Sequence, residues 1–434
     1  MGRLFGTDGA RGVANTELTC ELSMQIGRAA AMVLSKNLNG KKPKVLIGLD
    51  TRASSQMLEN AITAGLCSVG ADVLKLGVVP TPAVAYLVKE YGYDAGIMIS
   101  ASHNPCEYNG IKIFQSNGYK LPDALENEIE AIILDNAIEI PTPIGGGVGK
   151  AKRKADAIND YIEHLLSATN MSFKGYKIAL DCANGSSSVS AEEVFTRLGA
   201  EVIVISDKPD GTNINKDCGS THLENLQKVV VENNCYLGFA FDGDADRMLA
   251  VDHTGAVVDG DKCIAVCAKH MKQLGKLKKD TAVVTVMSNM GFFKFCEENG
   301  IKCEKTKVGD RYVLENMSEN GYSIGGEQSG HIIFLQYATT GDGQLSAIQL
   351  LAVIKDTGKT LKELADEMEV YPQVLINVRV SKFGKAQFPK DKEVQNAIKK
   401  VEEKLGDEGR ILVRLSGTEP LIRVMLEGRD YEQI

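Results

Sequence analysis

Asp242, Asp244 and Asp246 alternate in DGDADR, directly after the apolar run YLGFAF. Three carboxylates gathered at the end of a strand repel one another, and a hard divalent cation such as Mg²⁺ relieves that repulsion. A solvated acidic turn is the plain alternative. An EF-hand loop would need Gly at its sixth position and Glu at its twelfth, where this chain has Arg247 and His253. The spacing also touches the D-x-D-x-T/V pattern of phosphatases whose first Asp is the nucleophile, here Asp242, but Asp246 occupies the Thr/Val position.

Three further stretches carry chemistry. In RLSGTEPLIR, Arg414, Ser416, Gly417, Thr418 and Arg423 join two guanidiniums, two hydroxyls and a glycine that frees backbone N–H groups, a cradle for a dianionic phosphate. GGEQSGH offers Glu327 and Ser329 as hydrogen-bonding partners for sugar hydroxyls and His331 as a proton carrier. SASHNP presents Ser102 beside His103 without the G-x-S-x-G elbow, and an adjacent histidine is poorly placed as its base, which argues against a hydrolase triad. A serine facing three aspartates and a metal is suited instead to carrying phosphate.

These loops need elements to aim them. The apolar runs KVLIGL, DVLKLG and AGIMIS alternate with helical patterns, predicting βαβ units that feed a parallel sheet. YKIALD, EVIVIS and YLGFAF repeat the pattern, and TAVVTV, IKCEKT and YSIGG repeat it again. In each unit the third strand runs into a polar, glycine-bearing loop. Ligands bind outside the carboxyl ends of such strands, so three sheets facing one cleft are expected. Beyond Tyr371 a strand, a charged helix and two strands around SGTEP predict a small α+β domain. PTPIGGGVGK, at 141–150, reads as the first linker and fails as a Walker loop, because Ile144 and Ala151 stand where Gly and Ser/Thr are needed.

At 434 residues, 44% hydrophobic and 24% charged, the chain can bury roughly three or four domains. Its net charge of -8 gives no basic bias toward nucleic acid. No apolar run reaches the ~18 residues of a membrane span. The start MGRLFGTDGARG lacks a signal-peptide core, and Gly6 fails the myristoylation pattern. Ten cysteines without zinc or disulfide spacing read as reduced thiols, so the expected location is cytoplasmic.

In their order, from FGTDGARG (5–12) to RLSGTEPLIRV (414–424), these motifs resemble the α-D-phosphohexomutase superfamily over essentially the whole chain. The resemblance implies three similar mixed-sheet α/β domains around a central cleft (1–150, 151–255, 256–369) and a smaller C-terminal α+β domain (370–434). They would carry the phosphoserine, metal, sugar and phosphate loops in turn. It further implies that Ser102 is phosphorylated and joins Asp242, Asp244 and Asp246 around Mg²⁺, with Arg11, Lys112 and Arg247 beside the transferring phosphoryl group. Glu327, Gln328 and Ser329 would meet the sugar, Gln328 looking like the amino-sugar branch where glucose and mannose mutases usually carry Met. Arg414, Ser416, Gly417, Thr418 and Arg423 would grip the distal phosphate.

The implied reaction is isomerisation of glucosamine 6-phosphate to glucosamine 1-phosphate through a 1,6-bisphosphate, feeding UDP-N-acetylglucosamine synthesis. Glucosamine or glucose 1,6-bisphosphate would be the activator, and Lys112 or His331 the general base. The small phosphosugar is the one expected partner besides a second copy, the state being monomer or homodimer, with neither nucleic acid nor membrane. The family usually continues into a closing helix, whereas the sequence stops at EGRDYEQI, so the expectation is either a truncated chain or a fourth domain in which that helix is missing. Rival readings are a glucose or mannose phosphate mutase, a phosphatase using Asp242, and a non-catalytic phosphosugar sensor.

Overall fold

The computed structural model describes residues 3–6, 8–36, 38, 40–415 and 420–434, with the side chain of Lys382 left aside. Ser416, Gly417 and Thr418 of the expected phosphate loop therefore lie outside the described residues.

Alternating apolar strands and amphipathic helices build the first three sheets. The first orders β1 (Ala10–Val13), β5 (Tyr108–Gln115), β4 (Ala95–Ile99), β2 (Lys44–Leu49), β3 (Asp72–Val78) and β6 (Ala151–Arg153). The second orders β11 (Val257–Val258), β10 (Met248–Asp252), β9 (Leu237–Phe241), β7 (Lys177–Asp181) and β8 (Glu201–Ile205). The third orders β13 (Lys302–Thr306), β12 (Thr281–Thr285), β14 (Ile324–Gly326) and β15 (Ile332–Phe334). Stripped of edge additions, all three follow one plan: the second parallel strand, the first, the third, then an antiparallel return.

Those returns make the sheets mixed, whereas apolar periodicity alone predicts parallel ones. Each return turns a functional loop into a hairpin tip: 100–107 between β4 and β5, 242–247 between β9 and β10, and 327–331 between β14 and β15. Strand β6 begins at Ala151, just past the boundary expected at residue 150, yet pairs in parallel with β3 of the first sheet.

One core cluster joins the first three units. It includes Leu46, Val84 and Phe114 from the first, Tyr161, Leu180 and Phe239 from the second, and Val284, Phe292 and Ile348 from the third. The fourth unit is an antiparallel sheet ordered β16 (Gln373–Arg379), β18 (Leu421–Gly428) and β17 (Gly409–Leu415). The helix Lys392–Leu405 packs beside β17. Among the described residues, nothing beyond Met368 belongs to the shared core.

Candidate active site

The loop after β4 carries Ser102 in the left-handed region, with φ 54°, a strained conformation for a residue with a side chain. The strain aims a nearly buried hydroxyl, 1% exposed, at the second unit. Ser102 Oγ donates to Asp242 Oδ2 at 2.6 Å. The two hairpin tips touch backbone to backbone: a Cβ built on Gly243 would stand 2.6 Å from the Ser102 carbonyl oxygen, so only glycine fits.

Asp242, Asp244 and Asp246 are all buried, and one ligand atom from each lies within 4.8 Å of the others. Asp244 Oδ2 accepts from Thr81 Oγ1 at 2.6 Å and from Lys112 Nζ at 2.8 Å, and Lys112 Nζ lies 3.4 Å from Asp246 Oδ2. Their other oxygens, Asp244 Oδ1 and Asp246 Oδ1, are buried without a hydrogen-bond partner. Two orphaned carboxylate oxygens beside a third carboxylate are the donor set of an oxygen-ligated divalent cation, so these residues fit one. Burial and then the charges of Asp246 and Asp244 push the Asp242 carboxyl well up. Burial works against ionising Asp246 too, but Lys112, His331 and Arg247 outweigh it and hold its carboxyl well below the usual range.

The cations are organised by residues that motif reading passed over. Asp8, on the loop before β1, pairs with Arg11, with Lys112 at 3.1 Å and with Lys120 at 2.5 Å. Lys120 also reaches Asp310 of the third unit at 2.5 Å. Lys112 is 1% exposed; burial works against its charge, but Asp244, Asp8 and Asp246 outweigh it and raise it further, so it is an ammonium at neutral pH. Arg247 donates from Nη1 to His103 Nδ1 at 3.1 Å, and its backbone N–H reaches Asp242 Oδ1 at 3.2 Å. Burial and then the Arg247 charge lower His103 to about 4. With Nδ1 already accepting from Arg247, His103 does not take the Ser102 proton.

From the third unit, His331 Nε2 accepts from the Gly341 N–H at 2.9 Å, while Nδ1 faces Asp246 Oδ2 at 3.6 Å. Glu327 Oε1 accepts from the Gly309 N–H at 3.2 Å, and burial followed by Asp310 raises its carboxyl. Gln328 Nε2 instead donates to Asp259 Oδ2 at 3.0 Å, and Ser329 is exposed. In the fourth unit Arg414 on β17 and Arg423 on β18 are direct register partners. Burial, then the Arg423 charge, lowers Arg414. Like charges placed opposite each other cost stability that a bound anion offsets.

The structure thus brings Ser102, Arg11, Lys112, Arg247, His331 and the three aspartates into one continuous contact network. Gln328 turns away from it, and Arg414 with Arg423 forms a separate pair. Asp8 stands three residues before Arg11, an acid–base spacing that could have flagged it. Lys120 and Asp310 meet across 190 positions and leave no local signal.

Three repeated α/β sheets and a small antiparallel fourth domain define a multidomain α/β protein that brings a serine hydroxyl onto a buried carboxylate triad fit for a divalent cation. The chain belongs to the phosphoglucomutase/phosphomannomutase family. Its alpha/beta/alpha domains I, II and III match residues 2–138, 159–255 and 259–371, and its C-terminal domain matches 375–434. A phosphoglucosamine mutase of Caldicellulosiruptor bescii is 60% identical over all of this chain and 96% of that protein. One of Clostridium novyi is 56% identical with the same coverage. Among solved structures, a phosphoglucomutase/phosphomannomutase family protein from Burkholderia thailandensis superposes with a TM-score of 0.81 at 23% identity, over 99% of this chain and 94% of that one. Aspergillus fumigatus N-acetylphosphoglucosamine mutase in complex with GlcNAc-6P and magnesium gives 0.70 at 17% identity, over 99% and 93%. Among the described residues no helix is long and apolar enough to cross a membrane.

Proposed function

We propose that this chain is an isomerase that interconverts glucosamine 6-phosphate and glucosamine 1-phosphate by way of a phosphoserine at Ser102 and a bound glucosamine 1,6-bisphosphate. The contact that carries the reading is Ser102 Oγ on Asp242 Oδ2 at 2.6 Å, at the rim of a buried triad with two orphaned oxygens. The named relatives, similar over the whole chain, support the amino-sugar substrate. Asp242, accepting the serine proton, serves as a ligand and acceptor rather than as a phosphatase nucleophile.

In the forward half-reaction the C1 hydroxyl oxygen forms a bond to phosphorus as the Ser102 Oγ–P bond breaks, and the hydroxyl proton passes to Oγ. The bisphosphate then turns. Its O6–P bond breaks as Oγ–P re-forms and the Oγ proton passes to O6, which releases glucosamine 1-phosphate and restores the phosphoserine. Lys112, held as an ammonium, has a proton for the departing oxygen but no lone pair for the attacking hydroxyl, so in this reading it takes the hydroxyl proton only as it gives up its own. His331 is less suited, because its Nε2 lone pair already accepts from the Gly341 N–H. Arg11 and Arg247 neutralise the phosphoryl oxygens. Mg²⁺, held by Asp242, Asp244, Asp246 and the serine oxygen, would withdraw charge from the P–O bond. Arg414 and Arg423, with Ser416, Gly417 and Thr418, grip the phosphate that is not reacting, while Glu327 and Ser329 take the sugar hydroxyls. Binding energy from that remote grip positions the reacting one.

Four domains follow, with the first boundary moved past Arg153 because β6 belongs to the first sheet. The reading includes glucosamine or glucose 1,6-bisphosphate as activator and a monomer or homodimer in the cytoplasm; ten unpaired thiols support that location. The test is to incubate the purified protein with glucose 1,6-bisphosphate and Mg²⁺ and map phosphorylation by mass spectrometry, then compare turnover of glucosamine, glucose and mannose 6-phosphates. A hydroxylamine-stable phosphoryl group on Ser102, absent from Ser102→Ala, with glucosamine 6-phosphate turned over fastest, is expected. An unmodified Ser102, or a labile label on Asp242, overturns the mutase.

A further inference from the structure

Ser102 sits in a conformation that its own residue type disfavours, so something must hold it there. Three carbonyl oxygens of its loop turn inward, away from water, and all three converge on one side chain. Arg52 Nη2 donates to the Ser102 carbonyl at 2.9 Å and to the Asn104 carbonyl at 2.8 Å, and Arg52 Nη1 donates to the Pro105 carbonyl at 2.5 Å. Arg52 is itself only 3% exposed. Its Nε pairs with Asp50 Oδ2 at 2.9 Å, and both side chains are wholly buried.

Asp50 closes the arrangement from the other side. Its Oδ2 accepts from Ser100 Oγ at 2.6 Å, and Ser100 Oγ in turn accepts the Ser102 backbone N–H at 3.0 Å. Ser55 Oγ donates to Asp50 Oδ1 at 2.7 Å. Arg52 and Asp50 thus hold both ends of the Ser102 peptide, N–H through Ser100 and C=O directly. Asn215 of the second unit adds a second donor to the same carbonyls, Ser102 at 2.9 Å and Asn104 at 3.0 Å.

We infer that Arg52, fixed by Asp50, is a positioning residue for phosphoryl transfer: it clamps the Ser102 loop so that Oγ meets the metal-type triad in line. The planar guanidinium is required for this. Its rigid fork spans several acceptors at once, whereas a lysine ammonium at the end of a flexible stem supplies the charge without that geometry. Arg52 touches neither Oγ nor the triad, so its action passes through the loop backbone. A small displacement of the reacting oxygen is enough to slow an in-line transfer by orders of magnitude. Within a sequence, the signature is the D-x-R of DTR at the carboxyl end of an apolar strand, 50 residues before the serine that it holds.

The inference rests on Ser102 being the phosphoryl carrier, and the experiment separates the two. Wild type, Arg52→Lys, Arg52→Ala and Asn215→Ala are loaded with labelled glucose 1,6-bisphosphate, and single-turnover transfer from phosphoserine to glucosamine 6-phosphate is followed by rapid quench. A merely structural role lowers the amplitude, the fraction of folded protein, and leaves the rate constant alone. Positioning lowers the rate constant: about 100-fold in Arg52→Lys and about 10-fold in Asn215→Ala are expected, with KM within about twofold. Truncation leaves the space of the side chain next to a cavity of about 320 Å³ that is lined in part by Asp50, Thr51 and Arg52. Millimolar guanidinium is therefore expected to restore part of the rate in Arg52→Ala, and ammonium to restore none. Arg52→Lys transferring at the wild-type rate per labelled molecule overturns the positioning role even if Arg52→Ala fails to fold. A wild type that takes no label on Ser102 overturns the mutase reading, and this inference falls with it.

Discussion

Lys112 is the most heavily committed cation of the site, and its removal tests the charge balance there. Three carboxylates, Asp8, Asp244 and Asp246, face its ammonium within 3.4 Å, at 1% exposure. Lys112→Met removes the one cation that all three share and leaves the buried site with an excess of negative charge, and a loss of about 3 to 5 kcal/mol in urea unfolding is expected in metal-free buffer. Because a divalent cation at the triad offsets the same excess charge, millimolar MgCl₂ should recover part of that loss. An equal loss with and without MgCl₂ would contradict a cation site there. Asp8 makes the complementary case. Burial works against its ionisation, yet Lys112, Lys120 and Arg11 hold its carboxyl well below the usual range. A depressed carboxylate contributes stability that is complete above its unfolded value, about 4, and is lost as pH falls through the lower folded value. The stability gap between wild type and Asp8→Asn should therefore be constant from pH 7 to 5 and close only below about pH 4. Unfolding curves across that range decide it, and a gap closing already between pH 7 and 5 would refute the assignment.

At the scale of elements the chemistry sits on hairpin tips, and the approach of two tips is set by Gly243. A Cβ there would lie 2.6 Å from the Ser102 carbonyl and 2.8 Å from Asn215 Nδ2, so Gly243→Ala must push the two loops apart. Overpacking of this kind costs about 1 to 3 kcal/mol. Its sharper signature is a kcat at least about tenfold lower together with a higher Mg²⁺ concentration for half-maximal activity. A variant with normal metal dependence would show that the loops do not act as a pair. Most of the parallel strands were legible in the sequence, because β2, β3, β4, β7, β8, β9 and β12 are apolar runs of five or more residues bounded by turns, whereas β13 is polar, β14 is three residues long and β6 is a short exposed edge. The returns β5 and β15 were not. The first buries two polar side chains, Asn109 against Ser54 and Ser55 and Lys112 at the site, which breaks the apolar pattern, and the second is three residues long. For the same reason Ser102 and the aspartates could be read from local spacing, while Lys120 and Asp310 could not, because they meet across 190 positions. Asp8 and Arg52 have a local ion-pair partner each, in Arg11 and Asp50, but the contacts that tie them to the site lie 50 or more positions away.

The whole molecule divides its cohesion unevenly. The first three units share one apolar core, so they should unfold as a single cooperative body. The fourth is held to the third largely by polar contacts gathered on one buried carboxylate. Glu427, fully buried on β18, accepts from Arg410 Nε at 2.6 Å and from the Met290 N–H at 3.0 Å. Arg410 on β17 also donates to the Val286 carbonyl at 3.1 Å and the Ser288 carbonyl at 2.5 Å. The same two strands carry Arg414 and Arg423, so whatever loosens this joint loosens the grip on the distal phosphate. Arg410→Ala strands Glu427 without its cation and frees both carbonyls. Calorimetry of the wild type should resolve a smaller, earlier transition for the fourth domain, and the variant should shift that transition alone, by about 3 kcal/mol. Turnover should follow with KM for the sugar phosphate raised several-fold more than kcat is lowered, since the phosphate grip is remote from the reacting bond. A single transition that moves as a whole, or a kcat that collapses at unchanged KM, would mean instead that the fourth domain is part of the rigid catalytic body.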